Sequence, residues 1–309
     1  MKLRFGRPDI SRYADRFDVP KAGGGLSVTF LGVTTLLVQD GTSAVMTDGF
    51  FSRPSLPSVG LRRLSPHPGR IDAALTRAGV SALDALIPVH THFDHAMDSA
   101  VVAARTGARL IGGPSAVNIG RGGGLPDDRI HQVSSGAQAA VGSFTLTPVA
   151  SHHCPPDRYP GDIEAPLIPP AKAAAYRCGE SWSLLLEHTG GRTALIQGSA
   201  GFVPGALAGR SAEVAYLGVG QLGVQDEDYI RAYWQETVET VGARRVVLIH
   251  WDDFFRPLDR PLRALPYLGD DLDATMAVLG PLAARQGIPL HFPTLWRRED
   301  PWSGLPGAS

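Results

Sequence analysis

Cysteine is scarce in this chain of 309 residues, which contains only Cys154 and Cys178. Neither lies in a Cys-x-x-Cys pair, so the sequence offers no disulfide framework and no cysteine-rich metal site. Free thiols are the simpler interpretation of two separated cysteines, and they predict a cytoplasmic location. The first 20 residues also have no apolar stretch typical of a secretory signal peptide, which favours the same expectation.

An excess of one charge and long apolar runs are missing as well. Lys and Arg number 29 against 30 Asp and Glu, a formal net charge of −1. Because nucleic-acid affinity depends on neutralising phosphates, this balance argues against a nucleic-acid partner. The sequence contains no run of about 18 apolar residues, the length that would predict a membrane span. Neither a serine-nucleophile elbow nor a phosphate-binding P-loop is present. A small molecule is therefore the expected partner, and the oligomeric state is left open.

The most informative segment is residues 90–95 (HTHFDH), which places four good metal ligands within six residues. Imidazole and carboxylate ligands suit Zn, Mn or Fe, and no thiolate lies nearby in the sequence. With 10 His in the chain, a chance match to this pattern is expected about once in a thousand such sequences. The alternative interpretation is a histidine-rich surface turn.

The residues around this segment favour a metal site. Residues 83–89 (LDALIPV) form a short apolar run that predicts a buried strand. Side chains two apart in an extended segment point the same way, so His90 and His92 can bind one metal. A helical pattern begins at Asp94, a residue type favoured at helix starts. The turn from strand to helix directs Asp94 and His95 away from the first pair, toward a second metal.

This pattern resembles the metallo-β-lactamase superfamily, whose further motifs recur here in the same order. Residues 47–50 (TDGF) resemble its first aspartate motif, 151–153 (SHH) its third-histidine motif, and 246–250 (VVLIH) the strand that carries its last histidine. Asp98, three residues after His95, resembles the subgroup of L-ascorbate-6-phosphate lactonase and N-acyl-phosphatidylethanolamine phospholipase D. The resemblance implies an α/β fold, an αββα sandwich of two mixed sheets packed face to face with outer helices.

The resemblance also implies a set of metal ligands. The first metal would be bound by three histidines, His90, His92 and His152. The second would be bound by Asp94, His95 and His250. His153 competes with His152 for the third place. The expected cofactor is Zn²⁺, one or two ions, with Mn²⁺ or Fe as alternatives. Zinc held by three neutral histidines lowers the pKa of its bound water from 15.7 to about 7, which supplies a hydroxide nucleophile.

Three further residues bear on this centre. Asp48 is expected to hydrogen-bond the His-x-His loop, as residues behind metal ligands commonly do, although an ordinary Asp-Gly turn is the alternative. Asp94 is assigned a catalytic role as well, because it would orient the attacking water if the second metal were absent. Ser199 stands where the family has an aspartate that bridges two metals. Because a neutral hydroxyl is a poor bridging ligand, we expect one metal, or a second metal that binds more weakly than the first.

The organisation along the chain predicts an N-terminal arm at 1–25 and one domain at 26–309. Residues 36–50 and 184–202 share a pattern of strand, glycine turn, strand and polar loop, which suggests two similar halves. Residues 154–178 contain six prolines, so a strand or helix interior is excluded there. We interpret them either as an ordered loop near the metal site, where a substrate lid would lie, or as a plain surface excursion.

The sequence thus predicts a metal-dependent hydrolase that uses a metal-bound hydroxide on an ester-type bond. The subgroup resemblance favours lactones or phosphodiesters as substrates. The alternative is a metal-binding protein of the same fold with little hydrolytic activity, such as a sensor or a partner-binding module, and Ser199 keeps that alternative open. Redox chemistry at a di-iron centre is disfavoured because the bridging carboxylate is missing.

Overall fold

The computed structural model describes residues 4–306, and its framework is a pair of seven-stranded sheets. The first sheet has the order β14-β1-β2-β3-β4-β5-β6. Its strands are β1 (Ser27–Phe30), β2 (Leu36–Gln39), β3 (Ala44–Thr47), β4 (Ala85–Ile87), β5 (Arg109–Gly112), β6 (Ile130–Gln132) and β14 (Arg298–Glu299). Strands β14 to β3 are paired antiparallel, whereas β3 to β6 are paired parallel.

The second sheet has the order β13-β12-β11-β10-β9-β8-β7. Its strands are β7 (Ala139–Val141), β8 (Phe144–Ser151), β9 (Ser181–His188), β10 (Thr193–Gln197), β11 (Val214–Gly218), β12 (Arg245–Ile249) and β13 (Leu290–His291). Strands β7 to β10 are antiparallel and β10 to β13 are parallel. Both sheets therefore pass from antiparallel hairpins to a parallel half, as the repeated sequence pattern predicts.

Alternating side chains along the central strands pack on opposite faces of the second sheet. In β12, Val247 and Ile249 join a core shared with β1, β2 and β4 of the first sheet, whereas Val246 and Leu248 pack under the outer helices. Strands buried on both faces appear in sequence as continuous apolar runs, which is why VVLI predicts a strand here. The expected sandwich of two mixed sheets with outer helices is confirmed.

Seven α-helices occur in the described part of the chain. They are α1 (Leu56–Leu61), α2 (Pro68–Ala78), α3 (Phe93–Ala96), α4 (Ser99–Thr106), α5 (Pro114–Gly122), α6 (Glu227–Trp234) and α7 (Leu272–Gln286). A turn of π-helix extends α6 through Gln235–Glu239. Gly79 and Gly287 end α2 and α7 in the left-handed conformation, which glycine adopts without steric cost. None of the helices in residues 4–306 is long and apolar enough to cross a membrane.

The helical pattern that begins at Asp94 is interrupted in the structure. Helix α3 ends at Ala96 and α4 begins at Ser99, with Asp98 between them. The Asp98 carboxylate accepts hydrogen bonds from the backbone N–H groups of Phe51 and Ser52, at 2.8 and 2.6 Å. The break in the helix thus places Asp98 against the loop after β3.

The predicted arm and the proline-rich segment both contact the sandwich. A 3₁₀ helix (Ile10–Arg16) packs Ile10 and Tyr13 against the core under the outer helices of the second sheet. Val19 is buried, and Lys21 pairs with Glu299 of β14. Residues 1–3 of the arm and residues 307–309 of the domain lie outside the described part. The proposed boundary between arm and domain stays a prediction.

Candidate metal centre

The predicted site residues follow strands whose carboxyl ends lie on one edge of the sandwich. Asp48 follows β3 and the HTHFDH segment follows β4, its parallel neighbour in the first sheet. His153, Ser199 and His250 follow β8, β10 and β12, which run in the same direction in the second sheet. Loops at the carboxyl ends of parallel strands are where α/β proteins place their ligand sites.

The first ligand group is His90, His92 and His153, each with a possible ligand nitrogen within 4.8 Å of the others. Their ring centroids lie 4.7–5.0 Å apart. Both ring nitrogens of His90 are buried without a hydrogen-bond partner among the described residues. Because buried polar atoms are nearly always paired, the nitrogen that has the lone pair fits a cation that completes the site. Burial, together with the neighbouring histidines, holds the pKa of His90 well below its ordinary value, so the ring is neutral and can bind metal.

The second ligand group is Asp94, His95 and His250, and its ligand atoms lie closer together. The Nε2 atoms of His95 and His250 are 3.2 Å apart. An Asp94 carboxylate oxygen is 3.5 Å from the first of these nitrogens and 3.6 Å from the second. Ligand atoms on one tetrahedral zinc are separated by about 3.3–3.6 Å, given bonds of about 2.0–2.2 Å. The second ligand group therefore has the spacing of a formed site.

Asp48 lies behind both groups. One carboxylate oxygen accepts the backbone N–H of Val89, directly before His90, at 2.8 Å, and the other lies 2.8 Å from Nδ1 of His95. The hydroxyl of Thr34 also donates to this carboxylate and lies 2.8 Å from the same His95 nitrogen. Asp48 has a positive φ of 55° and is fully buried, so its position is fixed by these contacts. No sequence motif marks Thr34.

The structure favours the second of the two adjacent histidines after β8. His153 belongs to the first ligand group, whereas His152 is exposed. The physical reason is the alternation of an extended segment: the buried hydroxyl of Ser151 accepts a hydrogen bond from Gln197, so residue 153 faces the same side and residue 152 faces out. Gly201 also packs so closely on the His152 carbonyl that a Cβ there would lie 2.1 Å from it.

Ser199 is buried beside His153, at the position expected for a bridging carboxylate. Its hydroxyl accepts the backbone N–H of Cys154 at 2.9 Å. The adjacent carbonyl of Cys154 lies 2.7 Å from Nδ1 of His153. Ser199 thereby fixes the backbone that orients a ligand histidine, but it brings no negative charge to the centre.

Asp98, on which the subgroup resemblance rests, does not reach either ligand group. Besides two backbone N–H groups it accepts the hydroxyl of Ser52 at 2.7 Å. Burial raises the pKa of Asp98 to about 6, against the opposing effect of these hydrogen bonds. Its contacts hold the loop after β3 in place, so the structure gives no support to the lactonase and phospholipase subgroup.

The backbone at His250 is fixed from the first sheet. His250 has a positive φ of 58°, and its N–H donates to the carbonyl of Val33 at 2.7 Å. The N–H of Val33 in turn donates to Asp252 at 2.9 Å, and Asp252 forms a fully buried ion pair with Arg53. Strained backbone persists where surrounding contacts determine it, and it is frequent at functional sites. Sequence reasoning missed Arg53, which carries no motif.

The outer nitrogen of His92 contacts the proline-rich segment. Its Nε2 lies 3.2 Å from an Asp157 carboxylate oxygen and 3.3 Å from the carbonyl of Tyr159. Asp157, Cys178 and His92 also form a third cluster of close ligand atoms. Partial burial would raise the pKa of Asp157, but the hydrogen bond and charge of His92 hold it at about 2. Burial raises the pKa of the Cys178 thiol.

An apolar wall lies beside the second ligand group. Phe50 and Phe93 pack edge to face, and Phe254 contacts Phe93 and His250 at centroid distances of 6.3 and 5.7 Å. The same cluster contains Val33, Met97, Ile163 and Tyr176. Phe51 and Trp251, which also adjoin the motifs, belong to other parts of the core. The proline-rich segment contributes to this wall through Ile163 and Tyr176.

Comparison with known sequences gives limited information. No family model matches the chain. Uncharacterized proteins of Mycobacterium tuberculosis and Mycobacterium bovis are 32% identical over 135 residues, which cover 41% of this chain and 34% of each relative. The chain thus spans about a third of the length of the curated relatives it matches.

Comparison with solved structures covers most of the chain. A protein of Veillonella parvula described as a possible metal-dependent hydrolase aligns with a TM-score of 0.56 at 12% identity, over 89% of this chain and 99% of its own. Isothiocyanate hydrolase from Delia radicum gut bacteria gives 0.53 at 16%, over 87% and 96%. CmlA, a diiron β-hydroxylase from Streptomyces venezuelae, gives 0.52 at 13%, over 90% and 54%. At this identity the matches show the fold alone, two mixed sheets packed face to face with outer helices.

Proposed function

We propose that the protein is a metal-dependent hydrolase that cleaves an ester-type bond in a small molecule, with lactones and phosphodiesters as the favoured classes. The observation that supports it most is the convergence of two ligand groups at one edge of the sandwich, one of them at the spacing of a tetrahedral site. Bound Zn²⁺, the favoured metal over Mn²⁺ or Fe, supplies Lewis acidity and activates water.

Burial favours the neutral form of three of the proposed histidine ligands, as metal binding requires. It lowers the pKa of His90 and His95 well below the ordinary value and the pKa of His153 to about 4. Neutral imidazoles leave the full charge of the cation available for substrate. One Asp94 oxygen faces both histidines of the second ligand group, where it binds metal or accepts a proton from the attacking water.

The surroundings of the centre suggest which substrates it accepts. The apolar wall of Phe50, Phe93 and Phe254 excludes water and favours a substrate with an apolar group beside the scissile bond. Loops 51–70 and 154–178 border this wall, so we assign specificity to them. Ester, lactone and phosphodiester bonds all place an oxygen where a cation can polarise it.

Ser199 supports a second candidate, a metal-binding protein with little hydrolysis. Without a bridging carboxylate, two cations near each other repel more strongly, and a metal too loosely held or wrongly placed would not support turnover. The structural match to a diiron β-hydroxylase adds iron to the metals worth testing. Loading with zinc, manganese and iron in parallel distinguishes these cases.

The test is a turnover screen on protein of known metal content. Chelator-stripped protein is reloaded with each metal, assayed for metal by elemental analysis, and tested on aryl lactones, bis-aryl phosphodiesters and aryl esters. The matched control is His90→Ala, which removes a ligand of the first ligand group. We expect zinc-dependent turnover that His90→Ala lacks. Bound metal without turnover on any class would reject the hydrolase and favour the second candidate, and failure to bind metal would reject both.

A further inference from the structure

The two ends of the proline-rich segment meet beside the HTHFDH segment. Thr91, between the ligands His90 and His92, donates its backbone N–H to the carbonyl of Cys178 at 2.8 Å and its hydroxyl to the carbonyl of Arg177 at 2.6 Å. The N–H of Cys178 donates to the carbonyl of Tyr159 at 2.8 Å. Residues 157–161 and 177–179 therefore form one unit, which is attached to the HTHFDH segment.

Gly179 makes this attachment close. Its φ is +60°, and a Cβ there would lie 2.5 Å from Ser115 and 2.7 Å from the hydroxyl of Thr91. Its N–H donates to the carbonyl of Gly161 at 2.9 Å, which pairs the two ends of the segment. Only a glycine can approach Thr91 this closely in this backbone conformation, so the proline-rich segment is held at a defined distance from His92.

One ring nitrogen of His92 already has hydrogen-bond partners in the proline-rich segment. A neutral imidazole has one N–H donor and one acceptor nitrogen. Nε2 lies within hydrogen-bond distance of two acceptors, the Asp157 carboxylate and the Tyr159 carbonyl, so it carries the proton. That tautomer leaves the lone pair of Nδ1 for a cation.

The same arrangement occurs in the second ligand group with the ring nitrogens exchanged. There the buried carboxylate of Asp48 lies 2.8 Å from Nδ1 of His95, and Nε2 of His95 faces Asp94 and His250. Metal-binding histidines commonly donate their other N–H to a carboxylate, which fixes the tautomer and raises the basicity of the ligand nitrogen. Each ligand group thus has one histidine backed by a carboxylate.

We propose that Asp157 is a positioning residue of the first metal site: it accepts the Nε2–H of His92, leaves Nδ1 as the nitrogen that binds the cation, and so couples the proline-rich segment to metal affinity. The proposal depends on the proposed function only in that the first ligand group binds a metal. A rival arrangement has the cation bound directly by His92, Asp157 and Cys178, which also lie together.

The test compares Asp157→Ala and Asp157→Asn with Glu164→Gln. Glu164 is an exposed acid in the same segment, so its variant removes the same charge without touching a ligand. Zinc affinity is measured by competition with a chromophoric chelator. We expect Asp157→Ala to weaken one of two binding steps by about 10–100-fold. Asp157→Asn should lose less, because its amide oxygen still accepts the N–H, and Glu164→Gln should bind as the wild type does.

Two further readouts separate positioning from other roles. Cobalt substitution should give a spectrum that changes in Asp157→Ala, is partly restored in Asp157→Asn, and lacks a thiolate-to-cobalt charge-transfer band. The unfolding midpoint of metal-free Asp157→Asn should equal that of the metal-free wild type, because its amide oxygen can still accept the backbone N–H of Tyr159 that the carboxylate accepts. A thiolate band abolished by Cys178→Ser would establish the rival site and overturn the proposal.

Other outcomes also bear on the role proposed for Asp157. Wild-type zinc affinity in both Asp157 variants would overturn the proposal, as would a lowered metal-free midpoint in Asp157→Asn, which indicates a purely structural contact. If the wild type itself bound no zinc, the proposed function would fail first, and that failure is visible without any variant.

Discussion

The two ligand groups are built on different parts of the molecule. The second ligand group takes Asp94 and His95 from the exit of β4 and His250 from the exit of β12, with Asp48 behind them at the exit of β3. All are buried and attached to central strands. The first ligand group shares the β4 exit, but His153 begins the proline-rich segment, and Asp157 of that segment contacts His92.

This difference indicates how much each ligand group must rearrange to bind a cation. The second ligand group has a carboxylate and atoms 3.2–3.6 Å apart, so little movement is needed. The first ligand group has three histidines without a carboxylate, and it relies on a segment outside the sheets for orientation. Pre-organised ligands lose less conformational freedom on binding. The geometry therefore favours tighter binding at the second ligand group, the opposite of the order expected from Ser199 alone.

Removal of all metal should have the largest effect on activity and stability, and stepwise reloading tests which ligand group binds metal more tightly. Chelated protein should lose all turnover and, if free zinc had been near 1,000 times its Kd, about 4 kcal/mol of unfolding free energy. Returning one equivalent of cobalt should fill the second ligand group first, giving a spectrum that His95→Ala lacks and His153→Ala retains. Visible spectroscopy with calorimetry measures this. Filling of the first ligand group before the second would reverse the comparison.

The adjacent histidines provide the next test. His153→Ala should lose one metal equivalent and reduce kcat/KM by more than about 100-fold, since loss of even an outer partner of a ligand costs 10–100-fold. His152→Ala removes an exposed ring of the same type and should stay within about twofold of the wild type. Elemental analysis and steady-state kinetics of both variants decide it. Equal losses would mean that the segment after β8 turns the other way.

Sequence reasoning reached the framework of this centre because its signals are local. Continuous apolar runs define β4 and β12, and the residue after each such run must emerge at the same edge of a parallel sheet. The HTHFDH pattern therefore places His90, His92, Asp94 and His95 at that edge without knowledge of the rest of the fold. The preference for His152 depended on the facing of one extended residue, which contacts of Gln197 and Gly201 determine, and the structure places His153 with His90 and His92 instead.

The outer contacts could not be predicted in the same way. Thr34 and Asp157 reach His95 and His92 across 61 and 65 residues of chain, and neither stands in a recognisable motif. The spacing of Asp98 from His95 suggested a subgroup that is not confirmed, and the helix break turns its carboxylate toward Ser52. Such contacts follow from how loops pack together, and a single sequence carries little information about that packing.

Asp48→Asn tests the support of the second ligand group by an isosteric change. The amide keeps the size of the side chain but removes the charge next to Nδ1 of His95, and its NH₂ group also faces a donor. We expect zinc affinity at the second ligand group to fall about 10–100-fold while the first ligand group changes little. Chelator competition measures both steps. A loss confined to the first ligand group would show that Asp48 acts mainly through Val89.

Ser199→Asp should have the smallest effect and bears on both groups at once. The buried hydroxyl accepts the N–H of Cys154, and one oxygen of an aspartate can accept it in the same way. The second oxygen would add negative charge near His153. If Ser199 leaves the centre short of charge, the variant should tighten the weaker metal step by about tenfold, or about 1.4 kcal/mol. Calorimetric titration against the wild type measures this.

The matched control for that variant is Ser199→Asn, which has the same size and accepts the same N–H without the charge. Tighter binding in the aspartate variant alone would assign the effect to charge between the metals. Equal affinities in all three proteins would mean that another group, such as Asp94, already supplies what the family takes from its aspartate. Weaker binding in both variants would instead show that the pocket beside Cys154 admits only serine, because displacement of that backbone also displaces His153.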